Sequence, residues 1–265
     1  MIPKIIHYCW FGGNPLPKKT RKFMESWKKY CPGFEIREWN ETNFDVCCCS
    51  FVKEAYQEKK WAFVADYARF YAMYSCGGVY LETDTELIKP IDDLLEHSAF
   101  FGFGRKNSMT LPCCGTERGS QIAYDMIEYY HNSHFCKQEG IDTTTVNNIL
   151  FDILLSKYQL VANNKFQMLD GGIAIYPSDY FYSTDWQTGI VKKDPNLRVI
   201  HYADATWFPD SERKAIYLKR KLIKMFGLKT GNFLFSVITV IKNNGMGYVL
   251  KRIIGVENKN GSKKE

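Results

Sequence analysis

Apolar and polar positions change period along the chain, and each change marks an element. Ile2 to Trp10 is an apolar-rich run closed by Gly12-Gly13-Asn14-Pro15, the pattern of a buried first strand. Pro17 to Tyr30 has helical spacing, and Cys31-Pro32-Gly33 stops it. Phe34 to Trp39 alternates as a second strand. Phe51 to Glu58 and Trp61 to Cys76 read as helices, the second ended by Gly77-Gly78. Val79 to Asp84 follows as a third strand, then Pro90 with a short acidic turn, then Ala99 to Phe103 as a fourth strand. Ser120 to Tyr130 and Thr143 to Tyr158 are helical, and short strands fall around Ile173 to Tyr176 and Arg198 to His201. Strands alternating with helices predict an α/β domain with a mixed, mostly parallel central sheet. Ligands of such sheets collect beyond the carboxyl ends of the strands, which draws attention to the segments after Trp10, Trp39 and Tyr80.

Composition narrows the class without naming a function. In 265 residues, 45% hydrophobic and 24% charged positions exclude disordered and fibrous chains. The nine cysteines are odd in number and include the run Cys47-Cys48-Cys49, with no C-x-x-C spacing. Reduced, buried thiols in a cytosolic protein are the expectation, and Met1-Ile2-Pro3-Lys4 leads into the first strand with no signal-peptide pattern.

Charge is divided sharply along the chain. From Arg213 onwards 13 basic residues stand against two acids, whereas the first 212 residues carry 22 basic and 27 acidic groups. This predicts a mildly acidic body, residues 1–212, and a basic helical C-terminal region, residues 213–265. A helix drawn there sets Ala215, Leu218, Leu222 and Met225 opposite a cationic face. Two readings stay open, a helix lying on an anionic membrane surface or an ordinary amphipathic helix packed on the body. The twelve uncharged residues between Lys229 and Lys242 are too few to span a bilayer, which takes about 20. Nucleic acid is not expected as a partner, because the tail lacks aromatic-basic interleaving and any recognisable binding module.

The run Gly77-Gly78-Val79-Tyr80-Leu81-Glu82-Thr83-Asp84 holds the most chemistry. In an extended strand Tyr80, Glu82 and Asp84 project to one side, with the two carboxylates about 7 Å apart. Such a pair suits a hard divalent cation whose shell phosphate oxygens complete, although acidic pairs at strand ends also arise without function. On the preceding helix Asp66 and Arg69 are three apart and share a face in an otherwise apolar stretch. They form either a salt bridge docking helix on sheet or a fixed set of groups for sugar hydroxyls.

Taken together, Ile2-Pro3-Lys4-Ile5-Ile6-His7 with Trp10, Trp39-Asn40, Ala65-Asp66-Tyr67-Ala68-Arg69, and Gly77 to Asp84 resemble the DXD-containing glycosyltransferases of family 32. That group includes bacterial capsule and polysaccharide transferases, with a distant likeness to the glucosylating clostridial toxins. The likeness is dense from residue 2 to about residue 100 and returns at His201-Tyr202-Ala203-Asp204-Ala205-Thr206-Trp207, leaving the basic tail uncovered. It implies a GT-A (Rossmann-like) fold, a nucleotide-sugar donor, Mn²⁺ or Mg²⁺, and retention of anomeric configuration. By that resemblance Asp84 is the direct metal ligand with His201 near the metal, and Glu82 lies towards the ribose and sugar. Asp66 and Arg69 hold sugar hydroxyls, Tyr80 joins the donor site, Trp10 stacks by the base, and Thr206 and Trp207 contact the diphosphate. The family usually has Asp where this chain has Glu82, and Ser where it has Thr206.

The expected activity is transfer of a hexose from a nucleotide sugar, a UDP-sugar favoured over a GDP-sugar, to a saccharide or lipid-linked oligosaccharide in surface polysaccharide synthesis. The expected location is cytoplasmic, peripheral on the inner face of the cell membrane. Glu82 motivates the alternative of a nucleotide-sugar-binding protein whose catalysis has decayed. No nucleophile for a double displacement stands out in the sequence, so front-face attack by the acceptor within an ion pair is the mechanism expected for retention.

Overall fold

Apolar runs that alternate with helical stretches fold here into a sheet covered on both faces. The structure is a computed structural model that describes residues 1–105, 108–204 and 210–244. In chain order its elements are β1 (Ile5–Cys9), α1 (Lys18–Tyr30), β2 (Glu35–Trp39), α2 (Ser50–Gln57), α3 (Trp61–Cys76), β3 (Gly78–Leu81) and β4 (Thr85–Leu87). A 3₁₀ turn at Asp92–Glu96 precedes β5 (Ala99–Phe103), β6 (Met109–Thr116), α4 (Gln121–His131), β7 (Cys136–Lys137), β8 (Gly140–Ile141) and α5 (Val146–Lys157). The chain continues through β9 (Gln167–Leu169), β10 (Ile173–Tyr176), β11 (Val199–His201), α6 (Asp210–Phe226) and α7 (Leu228–Asn244).

Seven strands form the main sheet in the order β2-β1-β3-β6-β5-β10-β9. The pairs β1–β2, β1–β3 and β5–β10 are parallel, and β6 and β9 run against their neighbours, so five of the seven strands share a direction. This is the expected mixed α/β sheet. One face buries Tyr80, Phe101 and Ile175 under Val52, Phe63, Val64, Tyr67 and Phe70 of α2 and α3, together with residues of α4 and α5. The other face buries Ile6, Val79 and Phe100 beneath Trp27 of α1. The third strand ends sooner than expected. Regular pairing stops at Leu81, and Thr85 N–H donates to Glu82 O at 3.0 Å, so Glu82 to Thr85 is a turn that leads into β4, which pairs with β11. All nine cysteines are free thiols, but they are not all buried as expected, since Cys47 and Cys136 are exposed.

The chain divides into two compact units, one of residues 1–185 and 191–207 and one of residues 186–190 and 208–265. In the second, α6 and α7 form an antiparallel hairpin about Gly227, which has φ +78°. Their backbones meet at Gly231, where an added Cβ would lie 2.5 Å from Ile223 Cα. Lys219 Nζ sits 5.9 Å from the Phe235 ring across the hairpin. Among the described residues no helix is long and apolar enough to cross a membrane.

A buried histidine ties the first three strands together. His7 on β1 is fully buried; its Nε2 lies 2.8 Å from Gly77 O, and Trp39 Nε1–H donates to its Nδ1 at 3.0 Å. An indole only donates, so Nδ1 carries the lone pair and Nε2 the proton. At Gly78, with φ +123°, an added Cβ would stand 2.7 Å from Ile5 O and 2.8 Å from His7 Nε2, which requires glycine there. Burial lowers the His7 pKa to about 4, against a partial rise from the Gly77 bond. The unfolded chain takes up this proton near pH 6.5 and the folded chain only near 4. The His7 contribution is therefore complete above pH 6.5 and lost as pH falls to 4, by about 3 kcal/mol. Urea unfolding of His7→Gln should show lower stability than the wild type at pH 7 and a deficit that shrinks towards pH 4. A deficit constant over that range would show that His7 does not titrate in this way.

Candidate active site

Parallel pairing of β1 with β3, in register at His7 and Tyr80, brings the end of β1 beside the turn after β3. The alternation expected to point Glu82 and Asp84 the same way presumes an extended strand. The turn instead sends the two carboxylates to different partners. Glu82 turns to α3, and Asp84 turns to β11.

Arg69 on α3 is the centre of the first group, with its side chain only 3% exposed. Its Nη2 donates to Asp66 Oδ1 at 2.5 Å, its Nη1 lies 2.8 Å from Glu82 Oε1, and its guanidinium carbon stands 4.5 Å from the Tyr80 ring centroid. The Nη1–Glu82 contact is an ion pair without hydrogen-bond geometry, so Nη1 is a buried donor with no hydrogen-bond acceptor in the protein. Two carboxylates share one cation, and the consequence falls on Asp66. Burial pushes its pKa up to about 7, with Glu82 adding to the rise and Arg69 opposing it. Near neutral pH the group thus offers a carboxyl poised between charged and neutral beside a spare N–H, a pairing that suits hydroxyl groups.

Asp84 and His201 form the second group. His201 Nε2 lies 3.1 Å from Asp84 Oδ1, and Asp204 N–H donates to Asp84 Oδ2 at 2.8 Å. Tyr202 N–H donates to Asp84 O at 3.0 Å, which fixes the turn against the chain that leaves β11. Burial alone would raise the Asp84 pKa, but the His201 ring and the Asp204 amide outweigh it and hold the carboxyl at about 2. Burial alone would lower His201, and Asp84 wins again, so the imidazole is raised above 6.5. Glu82 contributes to that rise, which links the two groups electrostatically.

Whether the pair fits a hard cation follows from its donor set. Among the described residues no three His, Cys, Asp or Glu side chains gather as a metal cluster. Two adjacent octahedral ligands, each about 2.1 Å from Mg²⁺, sit roughly 3 Å apart. The 3.1 Å Asp84–His201 separation matches that once the imidazole gives up its proton. One carboxylate and one imidazole, with the rest of the shell from phosphate and water, is the sparse protein share that Mg²⁺ and Mn²⁺ accept.

Trp10 stands half-buried just past β1, its N–H donating to Trp39 O at 2.9 Å and its Nε1–H to Asn14 O at 2.5 Å. The structure therefore gathers Asp66, Arg69, Tyr80, Glu82, Asp84 and His201, with Trp10 at the neighbouring strand end; Thr206 and Trp207 lie outside the described residues. Sequence reasoning missed the surroundings of Asp204. Lys19 Nζ of α1 pairs with Asp204 at 2.6 Å, and Phe23 stacks on Tyr202 with centroids 4.7 Å apart. A groove of about 560 Å³ opens there, lined by Lys19, Lys22, Phe23, Ser26, Glu86 and Tyr202 among others. The Lys19, Lys22 and Lys29 spacing, one face of a helix, was the available signal.

Comparison with known proteins places a match on this region. The family described as glycosyltransferase sugar-binding region containing DXD motif matches residues 17–101. An uncharacterized glycosyltransferase, L373 of Acanthamoeba polyphaga mimivirus, is 30% identical over 152 residues, covering 55% of this chain and 60% of that protein. Inositol phosphoceramide mannosyltransferase 3 of Schizosaccharomyces pombe is 25% identical over 146 residues, covering 51% of this chain and 40% of that protein. The chain thus spans less than two thirds of the length of either relative. Among solved structures, the PaToxG glycosyltransferase aligns with a TM-score of 0.45 at 14% identity, over 59% of this chain and 70% of that one. The family match and the two relatives agree with the general DXD glycosyltransferase resemblance of the sequence.

Proposed function

We propose that the chain is a metal-dependent, retaining glycosyltransferase of GT-A type that moves a hexose from a UDP-sugar to a saccharide or lipid-linked oligosaccharide. The observation that carries this reading is the juxtaposition, past the ends of parallel strands, of a buried Asp66–Arg69–Glu82 group with the Asp84–His201 pair. Asp84 and His201 would hold Mn²⁺ or Mg²⁺, which when bound supplies Lewis-acid neutralisation of the departing diphosphate. Arg69 Nη1 and the Asp66 carboxyl orient the sugar by its hydroxyls, Glu82 fixes Arg69 and reaches towards the ribose, and Trp10 offers a ring to the base. By the family resemblance Thr206 and Trp207, outside the described residues, would contact the diphosphate. The C1–O bond breaks through an oxocarbenium-like state. Asp66 already lies against Arg69, which favours front-face attack by the acceptor over a covalent sugar on that carboxylate. A glycosyl adduct trapped on Asp66 would overturn this mechanism.

Thermal unfolding with UDP and with GDP, each with and without Mn²⁺, tests the donor. A ligand at a hundredfold above its Kd adds about 2.7 kcal/mol of stability, and the expected result is a shift with UDP that requires Mn²⁺. The Schizosaccharomyces pombe relative is named for mannose transfer, so a shift with GDP alone would move this chain to a mannose-type donor. UDP binding without transfer or hydrolysis would replace the reading with a nucleotide-sugar-binding protein, and no shift with either nucleotide would remove it. Synthesis of surface polysaccharide is the setting a lipid-linked acceptor implies.

A further inference from the structure

The turn of the α6–α7 hairpin presents apolar side chains to solvent. Met225 is 62% exposed, Phe226 and Leu228 are each 50%, and Phe233, about a turn and a half further on, is 64%. The exposed lysines Lys221, Lys224 and Lys229 frame this tip. From Arg213 to Asn244 the chain carries eight basic residues and no acid. The stripe expected on α6 is not the exposed surface, because Ala215 and Leu222 are partly buried and only Leu218 and Met225 are exposed. Apolar exposure is concentrated at the tip.

A cluster of this size ringed by cations has one matching environment among abundant cellular surfaces. At an anionic lipid–water boundary, apolar side chains enter the acyl edge while lysine stems let the ammonium groups stay at headgroup phosphates. A nucleic acid would match the charges but leave Met225, Phe226 and Leu228 in water. Neither helix spans a bilayer, so the contact is one-sided. We propose that the α6–α7 turn docks the chain on an anionic phospholipid bilayer, with Met225, Phe226, Leu228 and Phe233 inserted and Lys221, Lys224 and Lys229 at the headgroups.

The full chain should co-sediment with vesicles of phosphatidylcholine and phosphatidylglycerol far better than with phosphatidylcholine alone, and high salt should weaken the binding. The triple variant Met225→Ser, Phe226→Ser, Leu228→Ser should lower the partition coefficient about a hundredfold. Neutralising Lys221, Lys224 and Lys229 to Gln should cost about fivefold per lysine on the anionic vesicles. Phe226→Trp, which keeps the tip apolar, should show blue-shifted emission on adding anionic vesicles. Undiminished binding by the serine variant, unchanged emission, or no wild-type binding would overturn the proposal. So would a dimer, seen by sedimentation without lipid, that the serine variant abolishes in a chain indifferent to vesicles, since the tip would then be the seat of a second copy.

Discussion

Arg69→Met should lower folding stability at neutral pH by about 3–5 kcal/mol, because it strands two carboxylates that share one buried cation. The Met side chain fills much of the space under Tyr80, so the loss is chiefly electrostatic. The pH dependence identifies the cause. Asp66 ionises near 3.8 unfolded and about 7 folded, so its contribution to stability is complete below pH 3.8 and lost as pH rises to 7. Removing Arg69 raises the folded value further and extends the loss above pH 7. The deficit of the variant in urea unfolding should therefore be smaller at pH 5 than at pH 8. Adding Asp66→Asn should recover much of it, since the amide needs no counter-charge. If the pair only docks α3 on the sheet, the double variant regains both stability and transferase activity. If the pair holds sugar hydroxyls, stability returns while transfer stays depressed. A single-variant loss below about 1 kcal/mol would mean that the ion pairs contribute as little as exposed ones.

Asp66 and His7 act in opposite directions over nearly the same pH range. Between pH 4 and 6.5 a falling pH removes stability through His7 and adds it through Asp66. The wild-type profile sums the two and is flattened by their opposition, and only variants of each residue separate them.

Local pattern revealed those elements whose burial is periodic. The helix Trp61–Cys76 has the limits its apolar spacing and the following glycines predict, because Gly77 and Gly78 both take positive φ. The antiparallel strand β6 was not legible, although it lies between β3 and β5 and is buried throughout. Pro112 and Gly115 read as breakers within it. Pro112 is tolerated because the β5–β6 register shifts between Phe100 and Gly102, which frees it from the ladder on that side, and its carbonyl accepts Glu82 N–H at 3.1 Å. Gly115 stays paired with Val79 and Phe100, where an added Cβ would meet the Phe100 ring at 2.5 Å. The same limit applies at the site. Asp66 with Arg69 could be read from helical spacing, but the separation of Glu82 from Asp84 depends on a turn whose far side is β11 and Tyr202, more than a hundred residues away. Lys19 on Asp204 is equally non-local.

Asp84→Asn should lower transferase activity by at least about 10³-fold, the several kcal/mol that a Lewis acid contributes to a departing diphosphate. The substitution keeps the shape of the turn, since an amide oxygen can still accept the Asp204 N–H that Asp84 Oδ2 accepts at 2.8 Å. What is lost is the charge. In the wild type His201 holds the Asp84 pKa at about 2 against burial, and loss of the carboxylate removes the main influence raising His201. Its imidazole should then titrate lower, visible as a ring-proton NMR titration whose midpoint falls at lower pH than in the wild type. The Asp84 contribution to stability is present above pH 3.8 and lost as pH falls towards 2, so the variant should be less stable than the wild type at pH 7 by about 2 kcal/mol. The UDP-dependent rise in unfolding temperature should lose its Mn²⁺ requirement along with most of its size, whereas Glu82→Asp should keep both. A variant that folds, binds UDP only with Mn²⁺ and turns over at the wild-type rate would remove Asp84 from the metal site. An Asp84→Asn protein with weakened Mn²⁺ response and residual transfer rising with added Mn²⁺ would place its role in metal affinity, with His201 and the diphosphate supplying the remaining hold.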